Sequence, residues 1–305
     1  PKPRRSRRKN TRQNQPNSQA QGAPVKSTPG ARTLAAKLSV DLSQVSPTGP
    51  GGRIIEKDVR KHSERVQSPS SIDTPTPVGM PAPVSTEPMS GIRKSIATHM
   101  RGSLASTAQL SFSLEVDITD AQKVRKEKTS ETDGTISMAH VLMRAAGGVL
   151  KKLSKLNTIL TDEGIHYFDE INIGVAVALK EGLIVPVVKG IDQKSIGEIA
   201  RTTTDLAEKA RDGNLTPDEL AGGTFTISVL GSVDSFTPVL NAGQSAIMGV
   251  GRSVEKPVVK AGEVVIREMM TISLTVDHQV IDGAVAAEFM RRLKQSIERP
   301  APLFK

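Results

Sequence analysis

Apolar and polar residues follow two different periods along this chain, and most of the patterning lies after residue 90. Helical periodicity begins near Gly91, Thr119, Ser137 and Ser195, and again after Asp282. Ser195 and Glu198 have the spacing of a capping box, and Gly213 is a typical helix stop. We therefore predict five helices in the second part of the chain.

Strand-like runs separate these helical segments. They are residues 110–116, 171–179, 183–188, 224–230, 246–251 and 270–276. Several of these runs are apolar on both faces, which indicates a sheet covered by helices on at least one side. The mixture of helices and strands places residues 91–305 in the α/β (α+β) class, as one main domain.

A smaller patterned segment, residues 29–62, precedes the main domain. A short helix is predicted over residues 31–38, and a second helix is predicted to start near Arg53. The glycine-dense loop of residues 48–52 connects them. We expect Asp58 to accept hydrogen bonds from backbone amides of this loop. A module of this size is close to the lower limit for independent folding.

Two segments of low complexity flank this module. Residues 1–28 are rich in Arg, Asn, Gln, Pro and Ser, a composition typical of disorder. Residues 63–90 contain six prolines among Ser and Thr, which favours an extended, flexible linker. We therefore predict four regions: a basic tail (1–28), a small module (29–62), a proline-rich linker (63–90) and the main domain (91–305).

Composition narrows the possible chemistry. The chain has no cysteine, which excludes disulfides, thiolate metal sites and a cysteine nucleophile.

The net charge is +9, but the first 30 residues carry +8 of it and leave +1 for the remaining 275. Such a tail could contact RNA, DNA or anionic lipid through its charge, but we favour a solvated linker. The tail has no interleaved aromatic residues that would stack on bases, so nucleic acid is not an expected partner. No apolar run reaches bilayer length, and we expect a soluble protein in the cytoplasm.

The stretch T-V-D-H-Q-V-I-D-G, residues 275–283, contains the side chains most suited to catalysis in this chain. His278 follows a strand, and Asp282 immediately precedes a helix. From the residues alone, His278 is either a general base or a turn histidine, and Asp282 is either its support or a helix cap. The remaining histidines, at positions 62, 99, 140 and 166, are expected to be structural or solvated.

Ser228 lies fifty residues before His278, near the end of the strand in G-G-T-F-T-I-S-V-L-G. A Ser/His/Asp set suggests a hydrolase, but Ser228 lacks the G-x-S-x-G elbow that a nucleophilic serine needs. We therefore interpret Ser228 as a hydroxyl that donates to an oxyanion, with core packing as the alternative.

The ordered set of motifs resembles the acyltransferase component of 2-oxo acid dehydrogenase complexes. The matching motifs are G-I-R-K-S-I-A-T-H-M, E-V-D-I-T, G-L-I-V-P-V-V, G-T-F-T-I-S, A-I-M-G-V-G and D-H-Q-V-I-D-G-A. The small module, with T-G-P-G-G-R-I-I-E-K-D-V, resembles the peripheral subunit-binding domain of the same family. In that family, basic residues tether dihydrolipoamide dehydrogenase or the 2-oxo acid decarboxylase, and Arg32 and Arg53 are the matching positions.

The resemblance implies a fold like that of chloramphenicol acetyltransferase, a mixed sheet with flanking helices. It implies homotrimers that build a larger core, with each active site between subunits. His278 would deprotonate the thiol of coenzyme A, Ser228 of a neighbouring subunit would stabilise the oxyanion, and Asp282 would support the histidine. The reaction needs no metal. The acyl group would arrive on a lipoyl group, and a eukaryotic member would act in the mitochondrial matrix.

Some features depart from the family pattern. Gln279 stands where D-H-R-x-x-D-G has arginine, and His99 stands where I-A-x-R-M has arginine. The lipoyl domain is not present in this chain, so either the chain is a fragment or another protein carries that domain. Acetyl is the expected acyl group, ahead of branched-chain acyl and succinyl. A noncatalytic scaffold subunit is the alternative function, and retention of His278, Ser228 and Asp282 argues against it.

Overall fold

The computed structural model describes residues 26–38, 40–42, 45–67, 79–89, 91–130, 135–179 and 182–305. The chain divides into two compact units, residues 1–76 and 77–305. The predicted basic tail lies almost entirely outside the described residues, as does much of the proline-rich linker. Among the helices that the structure describes, none combines the length and the apolar character that a bilayer crossing requires.

The first unit contains two helices, α1 (Pro29–Lys37) and α2 (Glu56–Gln67). The Thr28 hydroxyl caps α1 by accepting a hydrogen bond from the Ala31 amide at 3.3 Å. The described core of this unit is small and aliphatic. It consists of Ala31, Ala35, Val45, Ile54 and Val59.

The loop between α1 and α2 is held by Asp58, as predicted. Its carboxylate accepts hydrogen bonds from the backbone amides of Thr48 and Ile55, each at 3.0 Å. The second helix begins at Glu56, three residues later than predicted. The reason is a tight turn in which Gly51 and Gly52 adopt left-handed conformations and the Gly49 amide donates to the Arg53 carbonyl.

Five helices belong to the second unit, and each begins where the pattern predicts. They are α3 (Gly91–Ser106), α4 (Thr119–Ser130), α5 (Met138–Leu150), α6 (Ile196–Asp212) and α7 (Gly283–Glu298). The predicted capping box of Ser195 and Glu198 is confirmed, since each side chain bonds to the backbone amide of the other residue. Gly213 ends α6 in the left-handed conformation, also as predicted.

In the described part of the chain, ten strands form one large sheet and two small ones. They are β1 (Gln109–Asp117), β2 (Thr158–Thr161), β3 (Gly164–Tyr167), β4 (Ile173–Val175), β5 (Val177–Leu179), β6 (Gly182–Ile184), β7 (Val187–Val188), β8 (Phe225–Val229), β9 (Ala246–Lys260) and β10 (Glu263–Asp277). The large sheet has the order β1-β10-β9-β8-β4-β7. It is mixed, because β8 runs parallel to β9 and β4 whereas the other pairs are antiparallel.

The strand predictions needed three corrections. The run 171–179 is divided between β4 in the large sheet and β5 in a separate pair, and the run 183–188 is divided in the same way around Pro186. Strands β9 and β10 each extend several residues beyond the predicted limits. The hairpin of β2 and β3 was not predicted.

Helix α7 connects the sheet with the helical layer. It packs against β1, β10 and α5, and the ring of Phe289 lies 5.8 Å from that of Phe225 in β8. Both phenylalanines are fully buried, within one apolar core that also includes side chains of α5 and β10. The prediction of a mixed sheet flanked by helices, preceded by a small helical module, is confirmed. The residue that follows β10 is therefore held on a rigid frame.

Candidate active site

His278 lies immediately after β10, in the turn that leads to α7. Its backbone amide donates to the Ala108 carbonyl at 2.8 Å, which continues the β1–β10 pairing by one more bond. The imidazole is exposed and has no hydrogen bond to another described residue. The backbone of His278 is thus fixed by the sheet, while its side chain is accessible to a reacting group.

Asp277 and Gln279, on either side of the histidine, hold this turn together. The Asp277 carboxylate is buried, and its Oδ1 accepts hydrogen bonds from the amides of Ala108 at 3.1 Å and Gln279 at 3.0 Å. The Gln279 side-chain amide donates to the Ser106 carbonyl at 2.8 Å and to Asp277 at 3.2 Å. The turn is therefore tied to the junction between α3 and β1 by neutral donors.

Asp282 occupies the N-cap position of α7, with an extended backbone at φ −72° and ψ 153°. Its side chain makes no capping hydrogen bond and is exposed. No hydrogen bond connects it to His278 within the described residues. Asp282 is close to His278 in sequence, but the single chain gives it no contact that would orient the imidazole.

Ser228 lies near the end of β8 and is partly exposed. The strand register places it opposite Gly249 in β9, and Gly249 lies opposite Ser273 in β10. His278 follows Ser273 by five residues, about 17 Å along the strand, and two strand spacings add about 10 Å across the sheet. Ser228 and His278 of one chain are therefore about 20 Å apart, and the fold does not bring them together.

The other histidines have separate surroundings. His140 is buried at the start of α5, where its Nδ1 accepts a hydrogen bond from the Ser137 amide at 3.0 Å. Burial lowers the pKa of His140 to about 4, so this histidine is neutral in the folded protein. His166 contacts the Thr161 hydroxyl, and His99 is exposed on α3 beside a small cavity. The side chain of His62 lies outside the described residues.

Within the described residues, no group of three or more His, Cys, Asp or Glu side chains is placed to hold a metal ion. The residues that sequence reasoning missed at this site are Ala108 and Ser106, which bind the turn through their backbone. Nothing in their side chains signals this role, because they lie about 170 positions before His278 and contribute only carbonyl and amide groups.

In the first unit, Arg32 and Arg53 line one shallow pocket together with Lys26, Ser27 and the loop residues Pro50 and Gly51. The Arg32 guanidinium donates from Nε to the Ser27 hydroxyl at 2.9 Å. Neither arginine forms an ion pair with a described acidic residue. The predicted partner-binding residues therefore share one basic surface.

The structure thus has an exposed histidine at the end of an inner strand of a mixed sheet flanked by helices. Residues 81–305 match the family described as 2-oxoacid dehydrogenases acyltransferase (catalytic domain), and residues 25–60 match the e3 binding domain. The chain belongs to the 2-oxoacid dehydrogenase acyltransferase family. This confirms the predicted class of enzyme, and the family uses coenzyme A and a lipoyl group.

The relatives support the same family. The dihydrolipoyllysine-residue acetyltransferase component of an acetoin cleaving system from Bacillus subtilis is 37% identical, covering 92% of this chain and 70% of its own length. The acetyltransferase component of the pyruvate dehydrogenase complex from Mycoplasma capricolum is 36% identical with the same coverage. A lipoamide acyltransferase of a branched-chain alpha-keto acid dehydrogenase complex from Bacillus subtilis is 34% identical, covering 88% of this chain and 70% of its own length.

Solved structures agree with these relatives. A dihydrolipoamide acetyltransferase from Azotobacter vinelandii superposes with a TM-score of 0.69 at 32% identity, covering 73% of this chain and 95% of the other. A probable dihydrolipoamide acetyltransferase from Listeria monocytogenes gives a TM-score of 0.67 at 32% identity, covering 70% and 94%. The e3 binding domain indicates that this chain binds dihydrolipoamide dehydrogenase, as predicted.

Proposed function

We propose that the active site is divided between two copies of this chain, with His278 from one copy and Ser228 from the other. The separation of these two residues within one chain is the observation that carries the proposal. At about 20 Å by the strand register, one histidine and one serine of the same subunit cannot contact the same reacting atoms. Each is exposed enough to meet a residue of another subunit.

His278 would take the proton from the thiol of coenzyme A. A free thiol has a pKa of about 8.5, so only a few per cent is thiolate at neutral pH, and an adjacent base raises that fraction. The thiolate would attack the thioester carbon of an acyl-lipoyl group. Ser228 would donate a hydrogen bond to the oxygen that becomes negatively charged. Collapse of this intermediate would release the lipoyl thiolate, which regains a proton from His278.

The Azotobacter vinelandii relative supports this assignment. Its reported study concerns a serine, a histidine and an asparagine in the catalytic mechanism, with the asparagine four residues after the histidine and the serine 52 residues before it. In this chain Asp282 lies four residues after His278, and Ser228 lies 50 residues before it. The spacing from the histidine to the following residue is therefore the same, with aspartate in place of asparagine, and the spacing from the serine to the histidine is two residues shorter in this chain.

Asp282 would support His278 from the N-cap position of α7. Because its carboxylate has no partner in the described part of one chain, the contact that orients it would come from the second copy or from substrate. Asp277 already stabilises the backbone of the turn by accepting amide hydrogen bonds. In this proposal Asp277 holds the backbone of the turn, and Asp282 supports the imidazole of His278.

The proposed acyl group is acetyl, because most of the similar curated relatives are acetyltransferase components. Branched-chain acyl and then succinyl remain the alternatives. The lipoyl group would be supplied by a domain outside residues 29–305. We expect homotrimers that assemble into a larger core. One similar solved structure is described as the cubic core of the pyruvate dehydrogenase multienzyme complex. A cytoplasmic location stays a prediction.

The partners of the small module would include a 2-oxo acid decarboxylase in addition to dihydrolipoamide dehydrogenase. The basic surface of Arg32 and Arg53 supports this, since charged surfaces of this kind steer and hold acidic partners. We place the module at residues 29–62 and the catalytic domain at residues 91–305, with the linker of 63–90 between them.

A complementation experiment tests the divided site. His278→Ala and Ser228→Ala are prepared separately, and each is expected to lower acyl transfer between coenzyme A and dihydrolipoamide, by roughly 10² to 10⁴ for His278→Ala and roughly 10² to 10³ for Ser228→Ala. Co-expression of the two variants creates mixed assemblies in which some sites pair an intact His278 with an intact Ser228. Activity should therefore return in the mixed assemblies.

Each inactive variant expressed with itself is the control, and subunit mass is measured for all preparations. Mixed assemblies that stay as inactive as either parent would contradict the divided site. Full activity of His278→Ala alone would remove the base assignment, whereas an unmodified chain that assembles but transfers no acyl group would favour the alternative of a scaffold subunit.

A further inference from the structure

Strand β8 is followed by a loop that turns back onto β9. Residues 230–238, which we call the return loop, come directly after β8. The Leu230 amide donates a hydrogen bond to the Val250 carbonyl at 2.9 Å. Three residues later, the Val233 carbonyl accepts a hydrogen bond from the Arg252 amide at 2.8 Å. The first turn of the return loop is therefore bonded to β9 at both ends.

The return loop lies on the face of the sheet that carries the Ser228 side chain. Ile227 and Val250 belong to the apolar core between the sheet and the helices. Because side chains alternate along a strand, Ser228, Gly249 and Gly251 lie on the opposite face. The register pairs Ser228 directly with Gly249. The two glycines therefore leave open space beside the serine.

The return loop fills this space. A Cβ atom at Gly249 would lie 3.1 Å from the ring of Phe236 and 3.1 Å from Cδ of Pro238, and these side chains could give way. A Cβ atom at Gly251 would lie 2.6 Å from the carbonyl carbon of Asp234 and closer still to its oxygen. A backbone carbonyl cannot make room unless the loop moves. Only a glycine at position 251 therefore permits the observed path of the loop.

The conformation of Gly251 itself does not require glycine, because it is not among the glycines with positive φ. The close approach of the loop is thus the reason for this residue. The ion pair between Arg252 and Asp234, at 2.5 Å, also joins the loop to β9. Both of its side chains are more than half exposed, so the pair contributes little.

The Ser228 hydroxyl has no hydrogen bond to another residue in the described part of the chain. Its position therefore depends on the backbone at the end of β8, which the return loop continues. We propose that Gly251 is a positioning residue for Ser228. By letting the Asp234 carbonyl approach β9, it keeps the end of β8 where the serine hydroxyl can donate to the oxyanion. This inference rests on the proposed oxyanion role of Ser228, whichever copy supplies the histidine.

The test replaces Gly251 by alanine in the full-length chain, alone and together with Ser228→Ala. Gly231→Ala is the matched control, since it adds a methyl group to the same loop. That methyl group would have no neighbour within 4 Å, and Gly231 has no positive φ. Steady-state kinetics of acyl transfer gives kcat and KM, and thermal unfolding is followed for every variant.

We expect Gly251→Ala to lower kcat roughly tenfold to a hundredfold with little change in KM, because the serine is retained but displaced. Ser228→Ala removes the hydroxyl and should cost more, roughly 10² to 10³. The double variant should have the kcat of Ser228→Ala to within about twofold, since no hydroxyl remains to be displaced. Gly231→Ala should behave as the unmodified chain does.

A second variant covers the case in which Gly251→Ala does not fold. Arg252→Ala removes the ion pair to Asp234 and loosens the return loop from its exposed side. It should lower kcat about twofold to fivefold when Ser228 is present and leave kcat unchanged in the Ser228→Ala chain.

An unchanged kcat for Gly251→Ala would overturn this inference. A loss by the same factor with and without the serine hydroxyl would also overturn it, because it would show general damage to the fold. Full activity of Ser228→Ala would instead reject the oxyanion role in the proposed function. A large effect of Ser228→Ala beside no effect of Gly251→Ala keeps that role and rejects the positioning by Gly251.

Discussion

Gln279 holds the turn that carries His278. Its side-chain amide donates to the buried Asp277 carboxylate and to the Ser106 carbonyl, so a single residue connects the end of β10 with the end of α3. The family resemblance led us to expect arginine at this position. Glutamine supplies N–H donors without a charge, and these donors bind both Asp277 and Ser106.

Replacing Gln279 by leucine should therefore reduce turnover more than substrate binding. Leucine has a similar volume but no donor, so the turn loses two connections and His278 moves from its position. We expect kcat to fall roughly tenfold to a hundredfold with little change in KM, because small displacements of a reacting group have effects of that size. Gln279→Arg should retain activity, since its guanidinium can make both contacts.

Steady-state kinetics with coenzyme A and dihydrolipoamide measures this effect. Gln295→Leu, on the exposed side of α7, is the matched control. Equal kcat values for Gln279→Leu and the unmodified chain would show that the turn does not depend on this side chain.

At this scale the sequence suggested the candidate site residues but only part of the contacts that hold them. His278 could be recognised because it follows a strand of alternating residues and precedes a helix. The roles of Asp277, Ala108 and Ser106 could not be predicted, because they depend on a pairing between strands that lie about 170 residues apart. Asp282 was correctly placed at the start of α7, but its capping hydrogen bond is absent.

Among the elements, helices were the easier to predict, because capping residues mark their ends locally. Strands were harder. A continuous apolar run such as 171–179 does not reveal that its two halves belong to different sheets, since that depends on neighbours contributed from elsewhere. The outer part of the β9–β10 hairpin, residues 254–267, was not predicted. Its aliphatic and its charged residues are both largely exposed, so the sequence there does not alternate as a half-buried strand does. Ala261 and Gly262, both with positive φ, form the two-residue turn that could have identified it.

In the small module, the loop between α1 and α2 positions the residues predicted to bind a partner. Asp58 holds the loop, and the loop places Arg53 beside Arg32 on one surface. Hydrogen bonds from Ile55 and Thr48 lower the pKa of Asp58, so its carboxylate stays charged at neutral pH. The two arginines are thereby presented together to an acidic partner.

Arg32→Ala with Arg53→Ala should weaken the binding of dihydrolipoamide dehydrogenase at least about tenfold, and the remaining affinity should depend less on salt. Acyl transfer to free dihydrolipoamide should be unchanged, because these residues belong to the other unit of the chain. Surface plasmon resonance at two salt concentrations measures the affinity. Arg60→Ala, on the exposed side of α2, is the control, and equal affinities for both variants would refute the docking role.

For the molecule as a whole, we expect acid stability to depend on a buried histidine of α5. Burial holds the pKa of His140 at about 4, against about 6.5 in an unfolded chain. As pH falls below 6.5, the unfolded chain binds a proton that the folded chain does not, so stability decreases down to about pH 4. The shift corresponds to about 3 kcal/mol at pH 4.

Carboxylates titrate in a lower range, which separates the two effects. Hydrogen bonds lower the pKa values of Glu219 and Glu288 to about 2, so their stabilisation is lost only as pH falls below about 4.5. Between pH 6.5 and 4.5, His140 is therefore expected to dominate. His140→Asn, which keeps an acceptor for the Ser137 amide, should flatten the dependence of Tm on pH in this range.

Differential scanning calorimetry from pH 7 to pH 4 tests this expectation, with His99→Asn on the exposed side of α3 as the control. The control should lose stability on acidification as the unmodified chain does. A His140→Asn variant with the same slope as the unmodified chain would assign acid sensitivity to other groups.

The hairpin of β9 and β10 extends beyond the ends of β8 and β1, and its exposed strand edges bear on how a newly made chain avoids aggregation. An exposed strand edge can accept a strand from any other chain and so begin unlimited sheet growth. Pro257 lies within β9, and because it has no N–H group, it removes one donor from an edge that would otherwise be continuous. Lys256 and Lys260 add charges beside it. We therefore expect Pro257 and the two lysines to disfavour strand addition by other chains at this edge.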